Sequence, residues 1–383
     1  MSPSGEGFMQ RALELARARA GRTSPNPSVG AVVVKDSRII GEGCYEARGA
    51  AHAEAVALRN AGDAARGATL YVTLEPHCYQ GTNPPCTGAI IAAGVAEVRC
   101  AHIDPNPKVA GQGIAQLEAS GVRVVVGEGE AEARRINEAY IKHRTTGRPF
   151  VIAKFAASLD GKIAATSGDS RWVSGPQTRA WSHELRTRID AIAVGVNTVL
   201  IDNPQLTARP DDRMSAHQPL RIVIDSRGRT PKDAKVLQCG VPTYPPAPSL
   251  KGRGDTGGSG GTLIATTEAS PVGWRKQVAA AGGRVEVLPA DSGRVSLPAL
   301  LELLGAEEVQ SLLIEGGGVL LGSFLDQRLV DKVHGVVAPM IIGGVSAPTA
   351  VAGVGAARMA DALRLRDVTV ERLGDDILVT GYV

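Results

Sequence analysis

Two short segments in the first third of the chain carry residue types suited to a metal ion. One is His52-Ala53-Glu54; the other opens with Glu75-Pro76-His77-Cys78 and runs through Pro84-Pro85 to Cys86. Imidazole nitrogen and thiolate sulfur are natural zinc ligands, and a catalytic zinc takes three protein ligands and leaves a fourth position open for water. Both segments stand at the starts of predicted helices, whose positive ends favour thiolate over thiol. Taken singly, these residues argue for little. A lone His52 reads first as a satisfied structural histidine, and a lone Cys86 as a buried small side chain. H-x-E, E-P and a P-P-C before a helix, in that order, reverse that balance.

A second candidate constellation lies later in the chain, at Glu315-Gly316-Gly317-Gly318, just before an apolar stretch with helical character. Glycines at a helix start expose backbone N–H groups, which suit a cofactor phosphate. A triple glycine alone reads first as a tight turn. No strand followed by G-x-G-x-x-G occurs, so the common dinucleotide-binding fingerprint is missing.

The elements that must hold these residues alternate between helix and strand. Residues 6–20 carry an apolar helical stripe. VGAVVVK (29–35) and Arg38–Ile40 read as strands, HAEAVALRNAG (52–62) as a helix, ATLYVTLEP (68–76) as a strand and CTGAIIAAG (86–94) as a helix. Strand, helix, strand and a single helix over 130–144 follow. Such alternation predicts a sheet covered by helices on both faces. Thr145–Pro149 is the expected boundary. Beyond it a second α/β region begins at 150–164, with apolar strands at 191–196, 221–225, 262–266, 284–288, 311–316 and 332–339. A period-two pattern closes the chain as an antiparallel hairpin. Residues 242–261, rich in Pro, Gly and Ser and lacking apolar periodicity, are expected to form a flexible insertion without catalytic role.

The 383 residues exceed one ordinary domain, since a domain runs to about 150 residues. Hydrophobic residues at 43% and charged residues at 21% exclude wholesale disorder. Lys+Arg at 42 nearly balances Asp+Glu at 39, and aromatics make up 3%, which disfavours a nucleic-acid or membrane partner. The opening segment lacks an apolar core of the signal-peptide kind, and no apolar run approaches the roughly 20 residues that span a bilayer. Five cysteines (Cys44, Cys78, Cys86, Cys100 and Cys239) then read as reduced thiols and metal ligands in a cytoplasmic protein.

H-x-E…P-C is the pattern of zinc deaminases, in which the glutamate is unliganded and shuttles protons. More narrowly, the chain resembles the bifunctional pyrimidine deaminase/reductases of bacterial riboflavin biosynthesis. The resemblance rests on Ser24-Pro25-Asn26-Pro27-Ser28-Val29-Gly30, on His52-Ala53-Glu54, and on Thr73-Leu74-Glu75-Pro76 through Cys86 with its long loop. In the second half it rests on Lys154 through Lys162, Ser167-Gly168-Asp169-Ser170-Arg171-Trp172, Gly195 through Arg209, Ile224-Asp225-Ser226 and Glu315 through Gly318. The chain departs from the family at one point. His77 stands where the family has its first ligand cysteine, and Cys78 follows; His77 is the favoured third ligand and Cys78 the alternative.

The resemblance implies a cytidine-deaminase-like three-layer domain over 1–146 and a dihydrofolate-reductase-like domain over 147–383. It implies a zinc ion on His52, His77 and Cys86, with Glu54 as the catalytic proton shuttle. NADPH contacts fall at Ala156, Trp172, Thr198, Asp202, Ser226 and the run Gly317, Gly318, Val319, Leu320, Leu321, Gly322 and Ser323. Substrate contacts fall at Asn26, Ser170, Arg186, Leu206, Arg209 and Glu315, the two arginines suiting a dianionic phosphate. The implied reactions are deamination of a pyrimidine ribose phosphate and then NADPH-dependent reduction of its ribosyl group to ribityl, by a homo-oligomer. A nucleic-acid deaminase and a non-catalytic zinc scaffold are the alternatives; ammonia release from the pyrimidine phosphate, cytidine or single-stranded DNA separates the three.

Overall fold

A computed structural model describes residues 5–81, 83–238 and 261–383, which fall into two compact units, Met1–Gly147 and Arg148–Val383. The units part inside the Thr145–Pro149 stretch. The expected insertion lies, but for residue 261, outside the described residues, as does Cys239.

The first unit runs α1 (Gly5–Arg17), β1 (Gly30–Lys35), β2 (Arg38–Cys44), α2 (Ala53–Ala61), β3 (Thr69–Val72), α3 (Cys86–Ala93), β4 (Glu97–Cys100), α4 (Gln112–Ala119), β5 (Arg123–Val126), α5 (Glu130–Ile136) and α6 (Glu138–Thr146). Its sheet has the order β2-β1-β3-β4-β5; β1 pairs antiparallel with β2 and β3, and β3, β4 and β5 run parallel. Alternation along β1 sends Val32 and Val34 to one face, against Phe8, Met9 and Leu13 of α1. Ala31 and Val33 go to the other, against Ala53, Ala57 and Leu58 of α2. Three layers result. The close seat of α2 on β2 requires Gly43, where a Cβ would stand 2.3 Å from the Ala53 carbonyl oxygen.

Two expectations change here. The strand expected over 68–76 is confined to Thr69–Val72, because the chain leaves the sheet to build the loop that carries His77. The helix expected over 130–144 breaks at Asn137, whose φ of −110° and ψ of 21° interrupt it. The Asn137 side chain explains the break: its Oδ1 accepts from Ser28 N at 2.8 Å and its Nδ2 donates to Ser28 O at 3.0 Å. A long-range amide clamp overrides local helical preference.

The second unit runs β6 (Phe150–Ser158), α7 (Pro176–Arg186), β7 (Ala191–Gly195), α8 (Val196–Asp202), β8 (Leu220–Ile224), α9 (Lys235–Gln238), β9 (Thr262–Thr266), α10 (Val272–Ala280), β10 (Arg284–Val287), a ribbon of β11 (Ala290–Asp291) and β12 (Arg294–Val295), α11 (Leu297–Ala306), β13 (Ser311–Ile314), α12 (Gly318–Asp326), β14 (Lys332–Ala338), β15 (Arg366–Leu373) and β16 (Asp376–Tyr382). Its main sheet has the order β10-β9-β8-β7-β13-β6-β14-β16-β15, parallel from β10 to β14 and antiparallel through β16 and β15. Strands β8, β9 and β13 are buried along their whole length, as parallel strands covered on both faces must be. Leu300 and Leu304 of α11 and Leu321 and Phe324 of α12 fill the core beside them. The closing hairpin turns at Gly374, in the left-handed region with φ of 67°.

Candidate active sites

In the first unit, the starts of two helices and the loop between β3 and α3 converge on one cluster. His52 is the extended residue that caps α2, and its carbonyl accepts from Val56 N at 3.1 Å. Cys86 is the first residue of α3. His77 lies on the loop between β3 and α3, held by Thr87 N donating to its carbonyl at 3.2 Å. His52 Nδ1 is 3.1 Å from Cys86 Sγ, the His52 and His77 rings are 5.2 Å apart, and one ligand atom from each of the three residues lies within 4.8 Å of the others. His77 Nδ1 is buried with no hydrogen-bond partner.

These residues fit a zinc ion. A buried nitrogen without a partner is costly, and two nitrogens and a sulfur within reach of one another form a zinc donor set that leaves a fourth position free. Burial lowers the proton affinity of both imidazoles, and His77 lowers that of His52 further, so both are neutral and their lone pairs available. Burial, reinforced by Glu54, pushes the Cys86 thiol well up; a dication reverses that local field. Glu54 is 3% exposed, its carboxyl raised by burial against an opposing hydrogen bond from Cys86. Cys78 is outside the cluster. Its Sγ donates to the Lys108 carbonyl at 3.7 Å, and its own carbonyl accepts from Gln116 Nε2 at 3.3 Å.

Glu54, His52 and His77 line a cavity together with Asn26, which donates to Tyr45 Oη. Sequence reasoning missed Asp104, Asn106, Tyr140 and Arg144, which line the same cavity. A signal was present: Asp104-Pro105-Asn106-Pro107 repeats the P-N-P pattern of Ser24-Pro25-Asn26-Pro27. It also missed why Glu75 precedes Pro76. The buried Glu75 carboxylate accepts from Asp104 N at 3.1 Å, Gly111 N at 2.9 Å, Gly113 N at 3.0 Å and Ile114 N at 3.3 Å. Glu75 therefore fixes the loop that brings Asp104 and Asn106 to the cavity.

In the second unit, Glu315 follows β13 and meets Arg186 at the end of α7, with Arg186 Nη2 donating to Glu315 Oε2 at 2.5 Å and Nη1 to Thr207 O at 3.1 Å. Burial would raise the Glu315 carboxyl, but Arg186 and Lys154 outweigh it and hold the carboxyl below its ordinary value. Arg186 Nε and Glu315 Oε1 are buried without partners. The expectation gave each of these residues to substrate separately; the structure makes them an ion pair, joined by Lys154, which sequence reasoning missed. Arg209 donates to Gln205 Oε1 at 2.7 Å and to Thr207 Oγ1, and its backbone N donates to His183 Nδ1 at 3.2 Å. Leu206 is buried with φ of 55°, so its side chain packs inward.

Ser170 Oγ donates to Asp202 Oδ1 at 3.2 Å, and Thr198 packs on Gly316. Ser226 Oγ accepts from Val295 N at 3.0 Å. Ala156 sits half-buried on β6. Trp172 is 67% exposed, with the Arg179 guanidinium 4.6 Å over its ring. Helix α12 begins after Gly317 with no side-chain cap, and Val319 is 53% exposed, so its first turn suits a phosphate and an apolar ring. The rest of the run divides by helical period. Leu321 faces the core, Leu320 packs against its edge, and Ser323 Oγ returns to Val319 O at 2.9 Å. Gly318 and Gly322 are small because the backbone at Thr349 and Ala352 presses on them: a Cβ on Gly322 would stand 1.5 Å from the Ala352 oxygen. Packing against this neighbouring backbone is a second reason for glycine at these two positions, beside the ligand contact that the resemblance implies.

The family model described as cytidine and deoxycytidylate deaminase zinc-binding region matches residues 3–102, and that described as RibD C-terminal domain matches residues 149–379. The riboflavin biosynthesis protein RibD of Actinobacillus pleuropneumoniae is 40% identical over 376 residues, covering 98% of this chain and 94% of that one. Two solved structures, each 34% identical and covering 98% of both chains, superpose closely. They are RibD of Acinetobacter baumannii, at a TM-score of 0.84, and a diaminohydroxyphosphoribosylaminopyrimidine deaminase/5-amino-6-(5-phosphoribosylamino)uracil reductase of Thermotoga maritima, at 0.82.

Proposed function

The chain belongs to the RibD family of riboflavin biosynthesis, whose members join a deaminase to a reductase, and from that premise we propose how its two units divide the work. It is a bifunctional enzyme that uses zinc and NADPH and acts on a small molecule. In this reading residues 1–146 deaminate 2,5-diamino-6-ribosylamino-4(3H)-pyrimidinone 5′-phosphate, and residues 147–383 reduce the ribosyl group of the product, 5-amino-6-(5-phosphoribosylamino)uracil.

The observation that carries the reading is Glu54 in one cavity with a three-ligand cluster, the only one of its kind among the described residues. His52, His77 and Cys86 would hold a zinc ion, which would supply a water of lowered pKa. Glu54, which burial makes a stronger base than an ordinary carboxylate, is the residue that would accept a proton on its carboxylate oxygen and return it toward the departing ammonia. Asn26 and Asn106 orient the pyrimidine through their amides. His77 is assigned as the third ligand on its position in the cluster, and Cys78 as a loop anchor.

NADPH supplies the hydride in the second unit. We assign Trp172, Thr198, Asp202, Ala156, Ser226, Gly317 and Val319 to its surroundings, with the uncapped start of α12 for a phosphate. Ser170, Arg209 and the backbone of Leu206 are assigned to the substrate, and the Arg186–Glu315–Lys154 group to its charged wall.

We further place the enzyme in the cytoplasm, as four free thiols among the described residues suit a reducing compartment. No helix among the described residues is long and apolar enough to cross a membrane. A homo-oligomer is supported by β15, an edge strand whose Val368 and Val370 are 51% and 65% exposed. The deciding experiment follows ammonia release and NADPH oxidation with the pyrimidine ribosyl phosphate, cytidine and single-stranded DNA. Preference for either of the last two would overturn the reading.

A further inference from the structure

Arg144 is the one arginine or lysine among the described residues that line the deaminase cavity. It lies four residues after Tyr140 on α6, so the two side chains share a helix face. Its guanidinium carbon sits 5.4 Å from the Tyr140 ring centroid, and its Nε is buried without a hydrogen-bond partner. Tyr140 Oη donates to Asp104 Oδ1 at 3.0 Å and Oδ2 at 3.3 Å, and Asn106 N donates to Asp104 Oδ1 at 2.8 Å. The carboxylates of the cavity leave this guanidinium only a partial counter-charge. Glu75 is saturated by four backbone N–H groups. Asp104 has its carboxyl raised by burial and its oxygens occupied by Tyr140 and Asn106. A guanidinium seated over the Tyr140 ring, with its Nε unpaired and Tyr140 and Asp104 near it, is suited to a planar, bidentate anion.

We propose that Arg144 is the specificity-determining residue that takes the phosphate of a phosphorylated pyrimidine substrate in the deaminase cavity, with Tyr140 and Asp104 positioning it. The proposal rests on the reading of the first unit as a deaminase of a pyrimidine ribosyl phosphate. Its content is new in one respect: discrimination between the phosphorylated and the dephosphorylated substrate resides in a single side chain of the last helix of the unit.

The test uses the full chain with zinc bound and measures steady-state ammonia release from the ribosyl phosphate and from the corresponding riboside. For Arg144→Ala, KM for the phosphorylated substrate rises about 10- to 100-fold, the range of a lost charge-assisted pair. kcat changes less than about 2-fold, kcat/KM for the riboside is unchanged, and Arg144→Lys recovers part of the loss. Ribose 5-phosphate inhibits deamination of the riboside by the wild type and loses that inhibition in both variants, Arg144→Lys less severely. Zinc content and NADPH-dependent reduction, measured on the same samples, report folding. Equal losses on both substrates, or an unchanged KM for the phosphorylated one, overturn the proposal. Wild-type chain inactive on both substrates instead overturns the deaminase reading beneath it.

Discussion

Replacing Glu75 with glutamine keeps the size of the side chain and removes its charge. Oε1 can still accept from Gly113 N and Ile114 N, but the atom facing Asp104 N and Gly111 N becomes an amide NH2, a donor set against two donors. Two charge-assisted bonds are lost and two backbone N–H groups are left without an acceptor. At about 1.5–3 kcal/mol for each bond to a charged group, the loss is about 3–6 kcal/mol. A unit of this size loses roughly 2–4 °C per kcal/mol, so the midpoint of thermal inactivation of deamination should fall by at least about 6 °C. The loop from Asp104 to Gly113 is the part released, so kcat/KM for deamination should drop even well below that midpoint. NADPH-dependent reduction, assayed on the same preparation, should keep its rate and its midpoint. A deaminase midpoint within about 1 °C of wild type would refute the claim that this carboxylate holds the loop.

Other substitutions probe the remaining chemistry. Glu54→Gln should lower deamination by about 100-fold or more while zinc content and reduction are retained, since the side chain moves a proton and binds no metal; equal loss of reduction would contradict the division between units. His77→Ala should lower zinc content measured by elemental analysis, whereas Cys78→Ser should keep it; the reverse pattern would reassign the third ligand. Arg186→Ala leaves Glu315 buried beside Lys154 alone and should destabilise the second unit by about 3–5 kcal/mol, read by denaturant unfolding; a change below about 1 kcal/mol would show that the pair is dispensable. Burial, with Arg186 and Arg209, lowers His183 from 6.5 to about 4. A lowered folded value means that the neutral imidazole stabilises the fold above pH 6.5 and that this contribution is lost as pH falls from 6.5 toward about 4. The difference in unfolding free energy between wild type and His183→Asn should shrink across that window, and a constant difference would exclude the linkage.

The candidate ligands His52 and Cys86, with Glu54, were legible in the sequence because they open two helices, and His77 because it follows Glu75-Pro76 in the loop that leads to Cys86. Asp104, Tyr140 and Arg144 were not. They reach the cavity from the loop after β4, which Glu75 holds, and from α6, and beyond the P-N-P repeat at Asp104 no local pattern marks them. The strands of the second unit could be read from continuous apolar runs, because burial on both faces leaves no polar positions to confuse the pattern. The glycines near α12 are ambiguous for the opposite reason. A glycine that admits a ligand and one that admits a neighbouring backbone carbonyl look the same in a sequence, and the Ala352 oxygen against Gly322 appears only in the structure. The break at Asn137 escaped detection because its cause lies 109 residues away.

That separation also sets an order of events during synthesis. The amide clamp between Asn137 and Ser28 ties the segment carrying Asn26 to the helices that end the first unit, so the cavity wall cannot close until nearly all of that unit has left the ribosome. Strands β1 to β5 and helices α1 to α4 can associate earlier, with the metal cluster already complete within them, since His52, His77 and Cys86 all precede β4. The three candidate metal ligands are therefore all out of the ribosome before the segments that close the cavity, and the last helix of the unit to emerge completes its wall.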